Sequence, residues 1–210
     1  MEKVNLWTLV TDGGYIMIPL ALLLLITIYL FCERYIVIRK NLKQDPSFMS
    51  NLRAYLDRGD LQSAENLCRN THTPYGRMIL KGVQRIGRPM AEVNSAMENA
   101  GNLEVANLGR GMTWLSTTAA GAPMLGFLGT VIGMIEAFFQ LAKAGAQNNI
   151  SLLSGGIYQA LVTTVAGLIV GIIALFAYNF LLARINKATN QLEARSMDFM
   201  DILNAPSRGK

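Results

Sequence analysis

The stretch APMLGFLGTVIGMIEAFFQL, residues 122–141, decides the fold of this chain. It is mostly apolar, with Thr130 near its centre, and Gly126, Gly129 and Gly133 interrupt it. At about 100° per residue, the three glycines fall on one face of a helix. Glycine costs a helix in water about 1 kcal/mol relative to alanine, whereas in lipid small residues let two helices approach closely. The stretch therefore predicts a membrane helix that packs tightly.

A second stretch, IYQALVTTVAGLIVGIIALFAYNFLL at residues 157–182, repeats this pattern. Small and polar residues share one helical face, and bulky apolar residues share the opposite one. The small and polar face holds Ala160, Thr164, Gly167, Gly171, Ala174 and Tyr178, and the bulky face holds Val165, Ile169, Ile172 and Phe176. We expect the first face to turn to protein or a pore and the second to lipid.

A third apolar run, residues 15–32, contains no charge. Three runs near spanning length predict an integral membrane protein. The first run is not expected to be a cleaved signal, because only Lys3 precedes it, no A-x-A site follows, and Glu33 and Arg34 close it. The predicted fold is an all-α membrane protein with three transmembrane helices, two of them extended into a cytoplasmic helical domain.

The distribution of basic residues predicts the orientation. Of 19 Lys and Arg residues, twelve lie in residues 33–113 and five after residue 182, so the positive-inside rule places both segments in the cytoplasm. The expected order is a periplasmic segment 1–14, span one 15–32, a cytoplasmic helical domain 33–113, span two 114–139, a periplasmic loop 140–155, span three 156–182, and a cytoplasmic helix and tail 183–210. Nucleic-acid binding is not expected, because the basic residues are dispersed and lack interleaved aromatic residues.

Short amphipathic helices are expected at 46–57, 60–70, 74–86 and 89–108. The helix expected at 89–108 could continue into span two as one rod. Gly109 and Gly111 argue against such a continuous helix. Cys32 and Cys68 are expected to be free thiols, and His72 to be a solvated loop residue.

The sequence contains no nucleophile with a base, no metal-ligand cluster and no phosphate-binding glycine pattern, so no enzyme, metal or cofactor is expected. Thr130 and Thr164 each lie roughly 12 to 14 Å below the outer surface, and Thr163 and Gln159 add polarity nearby. We interpret these four as a polar ring that lines a passage or holds a partner helix. The alternative is that each hydroxyl bonds its own i−4 carbonyl and serves packing alone. Helix packing or subunit contact is assigned to Gly126, Gly129, Gly133, Gly167, Gly171 and Pro123.

Glu136 is the only carboxylate within the three spans. It lies about 120° around the helix from Thr130, so we expect an outer-interface charge or a contact to a neighbouring subunit, with attraction of cations to a vestibule as the alternative. No titratable group lies at the depth of the threonines. A proton carrier at that depth must therefore come from another chain.

The chain resembles the MotA/TolQ/ExbB proton channel family, most strongly over APMLGFLGTVIGMIEAF and GIYQALVTTVAGLIVGIIALFAYN, and also at Glu33, Arg34 and Glu104. Three spans resemble ExbB and TolQ, whereas MotA has four. The resemblance implies a pentamer in the bacterial inner membrane around a dimeric, single-span partner of ExbD or TolR type. The partner's membrane aspartate would carry the proton, and Thr130 and Thr164 match the family threonines that face it. The outer domain of that dimer would act on TonB or on the Tol-Pal system.

One position departs from the resemblance, since many ExbB-type members carry a glutamate where this chain has Gln159. Three explanations are open for the glutamine at this position. The glutamate could be dispensable for conduction, or its role could be taken by Glu136 or by a group of the partner. Alternatively, the coupling ion or its gating could differ. The first hypothesis is an ExbB-like motor subunit that energises TonB-dependent outer-membrane transport. The alternatives are a TolQ-like subunit of the Tol-Pal motor and a non-conducting membrane scaffold.

Overall fold

The computed structural model of the chain describes residues 13–41, 45–143 and 150–204, without the side chains of 150–152. Within these ranges the regular elements are helices, and a short 3₁₀ turn, Gly14–Ile16, precedes the first. The α-helices are α1 (Met17–Asn41), α2 (Phe48–Asp57), α3 (Leu61–Asn70), α4 (Pro74–Val83), α5 (Met90–Leu108), α6 (Met112–Lys143) and α7 (Ile150–Asn204).

Three segments are long and apolar enough to cross a membrane: Gly14–Asn41, Met112–Lys143 and Leu153–Asn204. The predicted all-α membrane fold with three spanning helices is therefore confirmed. Helix α7 continues without a break to Asn204, well beyond the apolar run that ends at residue 182. Its 55 residues correspond to about 80 Å at the rise of an α-helix.

The rod predicted from α5 into span two is wrong, because α5 ends at Leu108 and α6 begins at Met112. Between them, Gly111 has φ +79°, a left-handed conformation that ends a helix and that glycine adopts without strain. Helix α4 likewise ends at Val83, three residues earlier than expected, and the chain then turns through Gly87 at φ +94°.

The chain divides into two compact units. The first comprises residues 1–32 and 111–180, and the second comprises residues 33–110 and 181–210. In the second unit, large side chains from α2, α3, α4, α5 and α7 form one hydrophobic core. Its fully enclosed members include Phe48, Leu52, Ile79, Met97 and Phe199.

Side-chain caps explain where two helices of the second unit begin. The Asp60 carboxylate accepts a hydrogen bond from the Ser63 amide at 3.0 Å, ahead of α3. The Thr73 hydroxyl accepts one from the Gly76 amide at 3.3 Å, and Pro74 follows as the first residue of α4. Each cap satisfies an amide that the first helical turn leaves without a carbonyl partner.

Candidate functional site

Helices α6 and α7 contact each other through their backbones in the first unit. A Cβ atom added to Gly126 would lie 2.9 Å from the carbonyl oxygen of Thr163 and 3.1 Å from the Cα atoms of Thr164 and Gly167. Nearer the other end of the pair, a Cβ on Gly133 would lie 3.1 Å from the Ala160 Cβ. Because the contacts run in opposite directions along the two helices, the pair is antiparallel.

The same close approach continues at Gly167 and Gly171. A Cβ on Gly167 would lie 2.6 Å from the Ala122 carbonyl oxygen, and one on Gly171 would lie 2.6 Å from the Pro123 Cγ. The Ala119 carbonyl, four residues before Pro123, lacks its usual helical partner because proline has no amide hydrogen. That carbonyl faces Gly171, where a Cβ would lie 3.1 Å from the oxygen. Proline and glycine thus lie together in this contact.

The three threonines of the predicted polar ring have different surroundings. Thr163 is 2% exposed and its hydroxyl donates to the Ala160 carbonyl at 2.7 Å, while a Cβ on Gly129 would press on its side chain. Thr163 is therefore enclosed between α6 and α7 and cannot line a passage from this position. Thr130 and Thr164 are both partly exposed.

Each of the two partly exposed hydroxyls donates to a backbone carbonyl. Thr164 donates across the pair to Gly126 at 3.1 Å, and Thr130 donates within its own helix to Phe127 at 2.5 Å. Gly129 of α6 contacts Thr163 of α7. Thr130 is the next residue after Gly129, and Thr164 is the next residue after Thr163. Thr130 and Thr164 therefore lie at nearly the same height along the helix pair. A hydroxyl that donates its hydrogen can still accept a hydrogen bond through its lone pairs. The two hydroxyls are therefore available as acceptors.

The other polar residues predicted in the spans lie elsewhere. Gln159 is half-buried, and its Nε2 lies against Gly14 in the turn before α1, leaving no space there for a side chain. Gly14 has φ +65°, a conformation that also favours glycine. Glu136 is exposed on α6. Neither residue joins the threonines in one cluster.

Helix α1 is not wholly lipid-facing, because one stripe of it packs within the first unit. Ile16 and Leu20 form a buried cluster with Ala122 of α6 and Val170 of α7. Thr27, 1% exposed, donates to the Leu23 carbonyl at 2.8 Å. The sequence pattern did not predict this contact of α1 with α6 and α7.

The three charged residues singled out by the resemblance, Glu33, Arg34 and Glu104, make ion pairs in the second unit. Arg77 Nε and Nη2 donate to the two oxygens of Glu104 at 2.7 and 2.6 Å, joining α4 to α5. Arg34 pairs with Glu33 and donates to the Asn107 carbonyl at 3.3 Å. The partners Arg77 and Asn107 were missed, because a pair 27 or 73 residues apart leaves no periodic signal in the sequence.

Comparison with known proteins identifies the family of this arrangement. The profile of the MotA/TolQ/ExbB proton channel family matches residues 70–194, which contain both glycine-lined helices. The chain belongs to this family. Membership supports a proton-channel type of subunit and agrees with the resemblance seen in the sequence.

Named relatives in the MotA/TolQ/ExbB family come from several organisms. The chain is 30% identical to ExbB-like protein 3 of Synechocystis over 198 residues, covering 90% of this chain and 94% of that protein. It is 31% identical to an ExbB homolog of Methanothermobacter thermautotrophicus over 148 residues, covering 70% of this chain and only 52% of the relative, about half its length. It is 33% identical to the Tol-Pal system protein TolQ of Haemophilus influenzae over 132 residues, 63% of this chain and 53% of TolQ.

Proposed function

We propose that this chain is an ExbB-like subunit of a motor in the bacterial inner membrane that is driven by the proton-motive force. Several copies, five by analogy with the family, would surround the membrane helices of a single-span, ExbD-like dimer. That dimer would couple proton flow to a TonB-like protein and so energise outer-membrane transport. The observation that carries the proposal is the pair of half-exposed hydroxyls, Thr130 and Thr164, at one height on two closely packed family helices.

The chemistry of these hydroxyls suits a partner carboxyl group. When the partner's acid is protonated, its O–H can donate to the oxygen of Thr164, which keeps its own hydrogen bond to Gly126. When the acid is ionised, a hydroxyl can rotate to donate to it instead. Two such groups therefore offer a polar contact in both protonation states without carrying the proton themselves.

The chain supplies no proton carrier at that height. Between residues 112 and 183 the only acidic residue is Glu136, which is exposed and separated from Thr130 by nearly two helical turns. A charge within lipid is costly and usually functional. We therefore assign Glu136 to the outer interface or to a neighbouring subunit, and the carrier to the partner. With the cytoplasm assigned by the positive-inside rule, the second unit is cytoplasmic.

Two alternatives each have an observation in their favour. The match to TolQ of Haemophilus influenzae favours a subunit of the Tol-Pal type. The backbone bonds of Thr130 and Thr164 favour a non-conducting scaffold in which the hydroxyls only support packing. The identity of a partner gene beside this one would distinguish a Tol-Pal subunit from an ExbB-like subunit. A measurement of proton flux would distinguish a scaffold from a proton channel.

The decisive variant for the threonine site is Thr164→Val. Valine keeps the volume but removes the hydroxyl, so proton flux through vesicles containing the chain and its single-span partner should fall at least about tenfold, as expected for loss of one well-placed polar contact. The matched control is Thr189→Val on the same helix in the second unit, where the Thr189 hydroxyl donates to the Ile185 carbonyl at 3.2 Å. Equal flux in both variants would favour the scaffold.

A further inference from the structure

The second unit contains a basic pocket between α1 and α7. It has a volume of about 250 Å³ and is lined by Tyr35, Ile38, Arg39, Leu181 and Arg184. Ile38 is 2% exposed and Leu181 is fully buried, so these two form an apolar floor. Arg39 and Arg184 are exposed. The lining thus combines two guanidinium groups and a phenol hydroxyl with an apolar base.

The position of this pocket along the chain is at the edge of the membrane. The charge-free run of α1 ends at Cys32, so Tyr35 and Arg39 follow it by roughly 5 and 10 Å of helix rise. On α7, Arg184 is the first charged residue after Lys143. The headgroup layer on each side of a bilayer is roughly 5 to 8 Å thick. Both arginines therefore lie within reach of lipid phosphates.

Helix geometry directs these side chains toward the lipid. A Cα–Cβ bond in an α-helix tilts toward the helix amino terminus. In both α1 and α7 the amino-terminal direction is that of the apolar run. Arg39 and Arg184 therefore lean toward the membrane edge, where long cationic side chains place their charge among headgroups.

We propose that this pocket binds the phosphate of an anionic phospholipid. Guanidinium groups present several N–H donors in a planar fork that suits two phosphate oxygens. With a volume of about 250 Å³, the cavity accommodates a phosphate diester with part of its glycerol.

A free phosphate ion shares this chemistry, but the site favours a lipid. The apolar floor of Ile38 and Leu181 offers nothing to a small hydrated anion, whereas it suits the glycerol and first methylene groups of a lipid. An anionic lipid such as phosphatidylglycerol is preferred over phosphatidylcholine because it brings no ammonium group near the two arginines. This inference is independent of proton transport.

The test is a titration of the full chain, purified in detergent, with fluorescent phosphatidylglycerol and with the matching phosphatidylcholine. The test variant is Arg39→Gln with Arg184→Gln. The control variant is Lys40→Gln with Lys187→Gln, which removes the same charge from the same two helices but from exposed residues outside the pocket. Helical content by circular dichroism is measured for each variant.

Each arginine near a lipid surface contributes about fivefold to affinity, so the test variant should bind phosphatidylglycerol about 25-fold more weakly. The control variant should keep most of its affinity, and phosphatidylcholine binding should change little in either. Equal losses in the test and control variants would overturn the proposal in favour of a nonspecific basic surface. Displacement of the lipid by millimolar inorganic phosphate would overturn it in favour of a soluble anion.

Discussion

The two units of this chain pack helices by opposite means. In the first unit, α6 and α7 approach through glycines, so that Gly126 and Gly167 leave room for nothing larger than hydrogen. In the second unit, the helices are held apart and joined by large side chains such as Phe48, Met97 and Phe199. Apolar side chains gain little by leaving lipid, so contact in a membrane depends on close packing, whereas in water burial of large apolar groups dominates.

This comparison predicts that the two units respond differently to the same kind of substitution. Removing volume should damage the second unit most, and adding volume should damage the first. Two substitutions test this difference, and two further changes test polar contacts of the second unit, in order of decreasing effect on stability.

The largest effect is expected for Phe199→Ala, because Phe199 is fully enclosed in the core of the second unit. Removing a buried aromatic ring costs about 3 to 5 kcal/mol of unfolding free energy. Met197→Ala is the matched control on the same helix, since Met197 is 66% exposed and its truncation should change stability by about 0.5 kcal/mol or less. Denaturant unfolding of the full chain in detergent, followed by hydrogen exchange in α5, measures both. Similar losses in the two variants would contradict the packing described for this core.

The next effect is expected for Gly167→Ala in the first unit. The added methyl group would meet the Ala122 carbonyl and the Gly126 backbone, neither of which can rotate away, so it should cost about 1 to 3 kcal/mol. Gly121→Ala on α6 is the control, because no atom lies within 4 Å of a Cβ there. That variant should be neutral or more stable by up to about 1 kcal/mol, as alanine favours helix. Unfolding by SDS in mixed micelles compares them, and a stabilising Gly167→Ala would refute backbone contact.

A smaller effect is expected from the ion pair of Arg77 with Glu104, whose carboxylate is 13% exposed. A double-mutant cycle with Arg77→Gln and Glu104→Gln should give a coupling of about 1 kcal/mol, because both hydrogen bonds are short and partly shielded. The pair of Arg53 with Asp57, at 3.9 Å and mostly exposed, should give about 0.5 kcal/mol or less. Equal coupling for the two pairs would show that burial does not strengthen the first.

The smallest effect concerns the cap of α3. Hydrogen bonds from the Ser63 side chain and amide hold the pKa of Asp60 below the ordinary value of an aspartate. A carboxyl group whose pKa is lower in the folded state than in the unfolded state stabilises the folded state at pH values above the unfolded-state pKa. This stabilisation is lost as the pH falls through the folded-state pKa. Protection of the Ser63 amide should therefore fall at low pH in the native chain but not in Asp60→Asn. Parallel pH profiles in both would mean that the carboxylate does not cap α3.

Most of the helical architecture could be predicted from sequence because its determinants are local. Apolar runs and the charges that end them indicated three membrane helices, and amphipathic spacing indicated the short helices between residues 46 and 108. The interrupted rod was decided by the conformation of one residue, Gly111 at φ +79°, which sequence suggests but does not determine.

The candidate site was less predictable, because exposure depends on which residues meet across two helices. Both Thr163 and Thr164 were predicted to belong to the polar ring. In the structure Thr163 is enclosed against Gly129, while Thr164 stays partly exposed and reaches the Gly126 carbonyl. A rotation of about 100° between successive residues separates the two environments. The contact of Gly129 on α6 with Thr163 determines that Thr163, and not Thr164, is enclosed between the two helices.

We propose that the chain forms a proton path only with an acidic helix from another protein. Proton flux into vesicles that contain the chain alone, or the chain with its single-span partner, tests this most directly. We expect flux with the partner, little flux from the chain alone, and loss of flux when the partner's membrane aspartate is changed to asparagine. Equal flux from the chain alone would contradict it, because the carrier would then lie within these three helices.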